Sequence, residues 1–371
     1  MSKKIVVGLS GGVDSSVAAL LLHEQGYDVE CIFMKNWEDD DGEICSSTED
    51  YNDALQVCEI LGLTLHSVNF SHEYWDKVFA YFLAEYKAGR TPNPDVLCNR
   101  EIKFKAFLDY ALQLGVSKIA TGHYANVEET SSGFQLSKGT DRNKDQSYFL
   151  YMLSNKPLSK SIFPIGKIQK QEVRKLAKKA GLPTAEKKDS TGICFVGERN
   201  FRQFLERYLP EQPGDIISNE GEKVGTHDGL MYYTIGQRKG LGIGGGHSKS
   251  NSPWYVIEKI MDKNILRVCQ GNNHPLLYSN IVIASQLHWI SGAPPDEGKQ
   301  LAAKIRYRQK DKTCKIERVN DNSAVIYFDE PVFAAAPGQS VVLYDGEVCL
   351  GGGIIEPYVS YPPVHETQHR N

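Results

Sequence analysis

The sequence predicts an α/β protein in which a doubly wound parallel sheet is followed by a small β-rich connector and a C-terminal β-barrel. Three observations lead there. Short β-branched runs alternate with helical periodicity from the N-terminus, a Ser-Gly-Gly turn at 10–12 joins the first run directly to an apolar-periodic helix, and after Pro210 helical periodicity gives way to short strands punctuated by Gly, Asn and Asp. At 371 residues, with 41% hydrophobic content, the chain exceeds what one core usually serves, which predicts two or three domains.

Taken in order, residues 3–9, 28–34, 64–69 and 117–121 read as short buried strands, and the stretches 13–25, 47–61, 72–87 and 100–114 between them as helices. In such an open sheet the ligand sits beyond the carboxyl ends of the strands, where the Ser10–Ser16 turn, the 34–45 loop and the Thr121-Gly122-His123 turn converge. Helices at about 168–181 and 199–208 extend the first domain to residue 208. Pro275 and the Pro294-Pro295 pair divide the remainder into a connector at 209–273 and a barrel at 274–360, with 361–371 a polar tail. No apolar segment is long enough to span a bilayer or act as a signal peptide, which predicts a cytoplasmic protein.

The turn after the first strand has the makings of a nucleotide phosphate site. Gly11 and Gly12 allow the φ values and close backbone approach of a tight strand-to-helix turn, and the helix start aims free N–H groups and a positive dipole end at an anion. Ser10, Ser15 and Ser16 add hydroxyl donors, while the absence of a Lys after the glycines rules out the Walker loop. A ligand-free glycine turn is the alternative reading.

The eight cysteines show no C-x-x-C pair and no zinc spacing with histidine. Cys31, Cys58, Cys269, Cys314 and Cys349 lie in apolar patterns and read as small buried hydrophobes. Cys98 and Cys194 differ, each falling in a loop-like segment. Arg90-Thr-Pro-Asn-Pro-Asp-Val-Leu-Cys-Asn99 places Cys98 just before a helix expected to start near Asn99, where the dipole and Arg90, Arg100 or Lys103 would stabilise a thiolate. Asp189-Ser-Thr-Gly-Ile-Cys-Phe-Val196 holds Cys194 among Gly and Ser/Thr.

The net charge of −4 argues weakly against a nucleic-acid partner, but its distribution is uneven. Glu38, Asp39, Asp40, Asp41 and Glu43 form an acidic loop. Lys167, Lys170, Arg174, Lys175, Lys178 and Lys179 share a helix, Lys187 and Lys188 follow, and Lys304, Arg306, Arg308, Lys310, Lys312, Lys315 and Arg318 recur later. Each cluster fits phosphate binding or a solvated face.

The run Ser10-Gly-Gly-Val-Asp-Ser15 resembles the pyrophosphatase loop of adenylating enzymes that cleave ATP to AMP and pyrophosphate. Together with PNPDxxCN, GHYA, KDQSYFL, DSTGICF and YTIGQRKGLG, it makes nearly the whole chain resemble the tRNA-specific 2-thiouridylase family. That resemblance implies a pyrophosphatase-loop domain, connector and barrel, and formation of 2-thiouridine at the tRNA wobble position with ATP and Mg²⁺. By position it assigns Gly8, Leu9, Ser10, Gly11, Gly12, Val13, Asp14, Ser15, Met34 and Gly122 to ATP, with Asp14 near the metal. Cys98 resembles the catalytic nucleophile and Cys194 the persulfide carrier, while Asn93, Pro94 and Asp95 resemble the segment that meets the target base. Lys144, Asp145 and Gln146, with Arg306 and Tyr307, match tRNA-contacting segments.

The implied chemistry needs two thiols. Adenylation makes the uridine C2 oxygen a leaving group, and a persulfide on Cys194 delivers sulfur while Cys98 releases it, leaving a Cys98–Cys194 disulfide; freed hydrosulfide is the other route. The two cysteines are then expected to reach a Cα separation of about 4.4–6.8 Å in one state. Asp95 is a candidate acid/base, or a cap of the following helix. The implied partners are tRNA of the Lys, Glu and Gln acceptors and a sulfur-relay protein or cysteine desulfurase, with a monomer expected. An ammonia-using adenylating synthetase and a nucleotide-regulated RNA-binding protein are the competing readings.

Overall fold

A computed structural model describes residues 4–38, 46–189, 201–244 and 252–357. Strand β1 (Lys4–Gly8) is nearly all apolar because both faces of a parallel sheet are covered. It pairs in parallel with β2 (Asp28–Lys35), which pairs with β3 (Thr64–Asn69). Helix α1 (Val13–Glu24) connects the first two, and α2 (Ser46–Leu61) the second and third. Gly26, at φ +79°, ends α1 in the left-handed turn that lets the chain enter β2.

On the other side of β1 lies the short β4 (Ile119–Ala120). An antiparallel hairpin of β5 (Ala125–Thr130) and β6 (Gly133–Lys138) follows, before β7 (Ser161–Ile162) adds a fifth parallel strand. The sheet order is thus β3-β2-β1-β4-β7. Alternation along β1 sends Ile5 and Val7 to one core, with α1, α2 and the Lys170–Lys179 helix, and Val6 to another. This second core continues without a break into Val342, Tyr344 and Cys349 of the last domain.

The connector is a four-stranded sheet of β8 (Gly214–Ser218), β9 (Lys223–His227), β10 (Trp254–Ile260) and β11 (Ile265–Gln270), in the order β10-β11-β8-β9. The last domain contains β12 (Tyr278–Trp289), β13 (Leu301–Lys304), β14 (Lys312–Asn320), β15 (Ser323–Phe333), β16 (Ser340–Asp345) and β17 (Val348–Ile355). Pairing of β12 with both β15 and β17 closes these six strands into a barrel. Closure removes the open edges that a sheet of this size would otherwise expose.

Two features depart from the sequence reading. The β5–β6 hairpin belongs to the first two hundred residues, yet it extends the barrel sheet through Val348↔Ser137 and Cys349↔Leu136. The pairing partner is more than two hundred residues away, and no local pattern names it. The helix expected to start near Asn99 starts at Pro94 and runs through Gln113, with wide π-type turns over Cys98–Ala106. A proline is well placed at a helix start because its missing N–H has no partner to lose there.

Candidate active site

The phosphate turn is built as its residues require. Leu9 donates its N–H to Ile32 O at 2.9 Å, carrying the strand pairing one residue past β1. Gly11 has φ +72°, and a Cβ there would lie 2.1 Å from Asp50 O, so both conformation and space demand glycine. Gly12 precedes α1 with extended backbone and no side-chain cap, leaving the helix start to the turn itself. Ser10 N–H donates to Ser15 Oγ, and the Ser15 and Ser16 hydroxyls donate to Gly12 O at 3.1 and 2.8 Å. A Cβ on Gly122 would come within 2.6 Å of the Asp14–Ser15 backbone, and one on Gly8 within 3.2 Å of Met34 Cε. Gly8, Met34 and Gly122 therefore pack around the turn, at the carboxyl end of the sheet.

Cations reach this turn from far along the chain. Lys170 Nζ lies 2.8 Å from both carboxylate oxygens of Asp14 and 2.8 Å from Asp189 Oδ1, with only 9% of its side chain exposed. Tyr124 donates its hydroxyl to Asp14 Oδ1 at 2.6 Å; burial, then Asp14, pushes its pKa upward and keeps it protonated. Asp189 also receives Lys144 at 2.6 Å and Arg174 at 2.7 Å. Burial works against its ionisation, but Lys144 and Lys170 overcome this and hold its pKa at about 2. Lys187 donates to Gly11 O at 3.1 Å and to Asp50 and Asp53.

In the sequence Lys170 and Arg174 fall in one basic cluster and Lys187 follows it, each open to phosphate binding or a solvated face, and Asp189 has no assigned role. One signal was available. Lys170, Val173, Arg174 and Ala177 follow the i, i+3, i+4, i+7 spacing of one helix face, and Val173 and Ala177 are fully buried. The first two cations of this helix thus point inward with its apolar residues.

Cys98 is not in a loop. It is 1% exposed, in the second turn of the helix that begins at Pro94, surrounded by the core that includes Val96, Leu97 and Ile102. Two of the cations expected to assist it are engaged elsewhere, Arg90 with Glu85 and Arg100 with Glu101. Asn93 precedes the helix without a side-chain cap, Pro94 occupies its first turn, and Asp95 lies in that turn instead of ahead of it. Asn99 is buried with Nδ2 donating to Phe149 O at 3.2 Å, while its Oδ1 has no hydrogen-bond partner. Cys194 and the acidic residues Asp39, Asp40, Asp41 and Glu43 lie outside the described residues.

Of the segments assigned to tRNA by resemblance, the one at 144–146 adjoins this corner through the Lys144–Asp189 pair. Asp145 is 2% exposed and accepts N–H groups of Gly139 and Ser147 and the Lys304 ammonium. Gln146 Oε1 accepts the Tyr124 N–H, and Tyr307 donates to Lys144 O at 3.3 Å while its ring packs 4.5 Å from Phe149. Arg306 stands apart, donating to Ile235 O and Ala334 O where connector meets barrel, and burial lowers its pKa. Lys304, whose cluster fits phosphate binding or an exposed face, is buried beside Asp145 and the Tyr344 ring.

The same junction clamps the chain ahead of Cys98. Thr91 N–H donates to Pro337 O at 2.8 Å, Gln339 Nε2 donates to Thr91 O at 2.8 Å, and the Thr91 and Thr234 hydroxyls are 3.1 Å apart. All three domains thus position the segment that leads into the Cys98 helix.

Comparison with known proteins gives consistent matches. Residues 3–198 match a family described as the tRNA methyl transferase HUP domain, 202–270 the tRNA methyl transferase PRC-barrel domain, and 279–355 the aminomethyltransferase beta-barrel domain. A protein named tRNA-specific 2-thiouridylase MnmA from Pseudomonas paraeruginosa is 58% identical over 355 residues, 95% of this chain and 94% of that one. Its namesake from Shewanella sp. strain MR-4 is 58% identical over 360 residues, 96% of this chain and 97% of that one. Among solved structures, the U34-tRNA thiolase NcsA from Methanococcus maripaludis, with its [4Fe-4S] cluster, has a TM-score of 0.34 at 22% identity, covering 56% of this chain and 67% of that one.

Proposed function

The chain belongs to the tRNA-specific 2-thiouridylase family, and from that premise we propose that it is an ATP-dependent tRNA-uridine 2-sulfurtransferase. The observation that carries this is near full-length identity of 58% with proteins bearing that name. The phosphate turn supports it independently. Methyl transfer, the wording attached to two of the matched domains, uses an activated methyl donor and needs no ATP phosphate site.

In this reading the turn from Gly8 to Ser15 holds the ATP phosphates while the uridine C2 oxygen attacks the α-phosphate and pyrophosphate departs. The terminal sulfur of a Cys194 persulfide then bonds to C2 and AMP leaves. Cys98 thiolate attacks the Cys194 sulfur, breaking the S–S bond so that the electron pair stays with the new C2 sulfur. A Cys98–Cys194 disulfide results, and an external thiol reductant restores both cysteines. Asn93, Pro94 and Asp95 meet the base, with Asp95 a proton carrier; Lys144, Asp145, Gln146, Arg306 and Tyr307 belong to the tRNA-facing segments. Met34 and Gly122 flank the nucleotide.

Asp14 fits a Mg²⁺ that arrives with the nucleotide. Among the described residues no three acids, histidines or cysteines converge, so phosphate oxygens and water would complete such an ion's shell. Residues 1–208, 209–273 and 274–360 act in this reading as catalytic, connecting and tRNA-contacting units. A sulfur-relay protein or cysteine desulfurase supplies the persulfide, and the enzyme works as a monomer in the cytoplasm with its tRNA. No helix among the described residues is long and apolar enough to cross a membrane.

The test is incubation with unmodified wobble-uridine tRNA, Mg·ATP and a persulfide donor, read by nucleoside mass spectrometry. Product from the wild type that disappears in both Cys98→Ser and Cys194→Ser is the expected result. Pyrophosphate release without 2-thiouridine would point to a different acceptor, and full activity in either cysteine variant would overturn the two-thiol scheme.

A further inference from the structure

We propose that Lys170 is the polyphosphate-binding cation of the Ser10–Ser15 turn, standing in for the lysine this loop lacks, and that Asp189 is the positioning residue that keeps it there. This rests on the proposed use of ATP. The geometry carries the assignment. Lys170 Nζ lies 2.8 Å from Asp14, one residue inside α1, although the two residues are 156 positions apart in sequence. Its stem is fixed on the buried face of the Lys170–Lys179 helix, and its backbone N–H is itself held by Asp141 Oδ2 at 2.9 Å.

The charges around this ammonium suit an exchange of partners. Asp14 and Asp189 face Lys170, Lys144 and Arg174, one cation in excess, and both carboxylates are about a third exposed while Lys170 is nearly covered. A covered ammonium must keep anionic partners. When a nucleotide and its Mg²⁺ take over the Asp14 carboxylate, Lys170 loses one of its two acids and phosphate oxygens replace it. Asp189 remains, and Arg174, which also donates to Ala185 O and Lys187 O, fixes the orientation of that carboxylate. The ammonium therefore changes partner without its helix moving.

A purely structural Lys170 would serve only to neutralise Asp14. The two roles separate by ligand. Binding of ATP, pyrophosphate and AMP to the full-length protein is measured by calorimetry, with Mg²⁺ and in EDTA, for the wild type, Lys170→Met, Lys170→Arg and Asp189→Asn. Lys170→Met is expected to weaken ATP and pyrophosphate at least tenfold while AMP changes less than threefold. Lys170→Arg should recover most of the loss, and Asp189→Asn should show a smaller loss with the same preference. The salt dependence of ATP binding should be shallower in Lys170→Met, because one charge contact is gone. Equal weakening of AMP and ATP, or wild-type ATP affinity in Lys170→Met, would overturn the assignment. Where Lys170→Met does not fold, the ratio of ATP to AMP affinity in Asp189→Asn decides it, and an unchanged ratio overturns it. A wild-type protein that binds neither ATP nor pyrophosphate would instead overturn the proposed function.

Discussion

At the carboxyl end of the parallel sheet and in the seam between hairpin and barrel, lysines meet aspartates in nearly the same chemistry, yet the two clusters differ in access. In the seam, Lys304 lies 3.2 Å from Asp145 and 3.6 Å from Asp311, Lys138 pairs with Asp311, and both ammoniums sit over the Tyr344 ring at 5.5 and 4.3 Å. Lys138, Lys304 and Asp145 are all buried there, and of the seam residues only Asp311, at 37%, reaches solvent comparably. Around the phosphate turn, Asp14, Asp189 and Lys144 each stay about 30% exposed. Burial makes the first cluster a fastener joining two domains. Partial exposure leaves the acids of the second one open to solvent.

Breaking the seam should have the largest effect. Lys304→Met leaves the buried Asp145 carboxylate without its cation, which is expected to destabilise the protein by about 3–5 kcal/mol. Urea unfolding of that variant with a wild-type midpoint would erase the distinction between the clusters. At the open corner, Asp14→Ala should lower Mg·ATP-dependent pyrophosphate release about 100-fold, roughly 2.7 kcal/mol in barrier height. Unchanged release would contradict the role given to Asp14.

Arg306 tests a residue between the two classes. Arg306→Ala removes the donor from two carbonyls at the connector–barrel junction and is expected to cost about 1–3 kcal/mol in unfolding. Loss of tRNA affinity with a reduced salt slope would support its proposed tRNA contact, and no loss of stability would remove the structural role. A smaller effect is expected from acid. The folded pKa of Asp189, about 2, lies below the ordinary aspartate value, so its contribution is complete above roughly pH 4. That contribution is lost as pH falls towards 2. The melting temperatures of wild type and Asp189→Asn should therefore differ at pH 6 and converge near pH 2; a constant gap would refute the pairing. Smallest of all, Lys175→Ala removes an exposed i,i+3 partner of Glu172 and should shift stability by no more than about 0.5 kcal/mol.

Much of the first domain was legible because its signals are local. The β1 run, the glycines at 11 and 12 and the periodicity of α1 each follow from a few neighbouring residues, and the turn formed where they place it. The environment of Cys98 was misjudged. Reading the double-proline segment as a loop moved the helix start from Pro94 to Asn99 and put a core residue at a helix end. The basic clusters stayed open between phosphate binding and a solvated face, since a run of lysines shows charge but not the distant acid each one meets.

By itself the sequence determined the α/β class, the Ser10–Ser15 strand-to-helix turn, the change to β structure after Pro210 and the candidate cysteines, because backbone conformation and hydrophobic period are set by residues a few positions apart. Only the tertiary structure decided that Lys170 meets Asp14, that the 125–138 hairpin extends the barrel sheet and that Asp145 lies under Lys304. Those pairings join residues up to about two hundred positions apart, and they form where two buried faces close over each other, which no local pattern encodes.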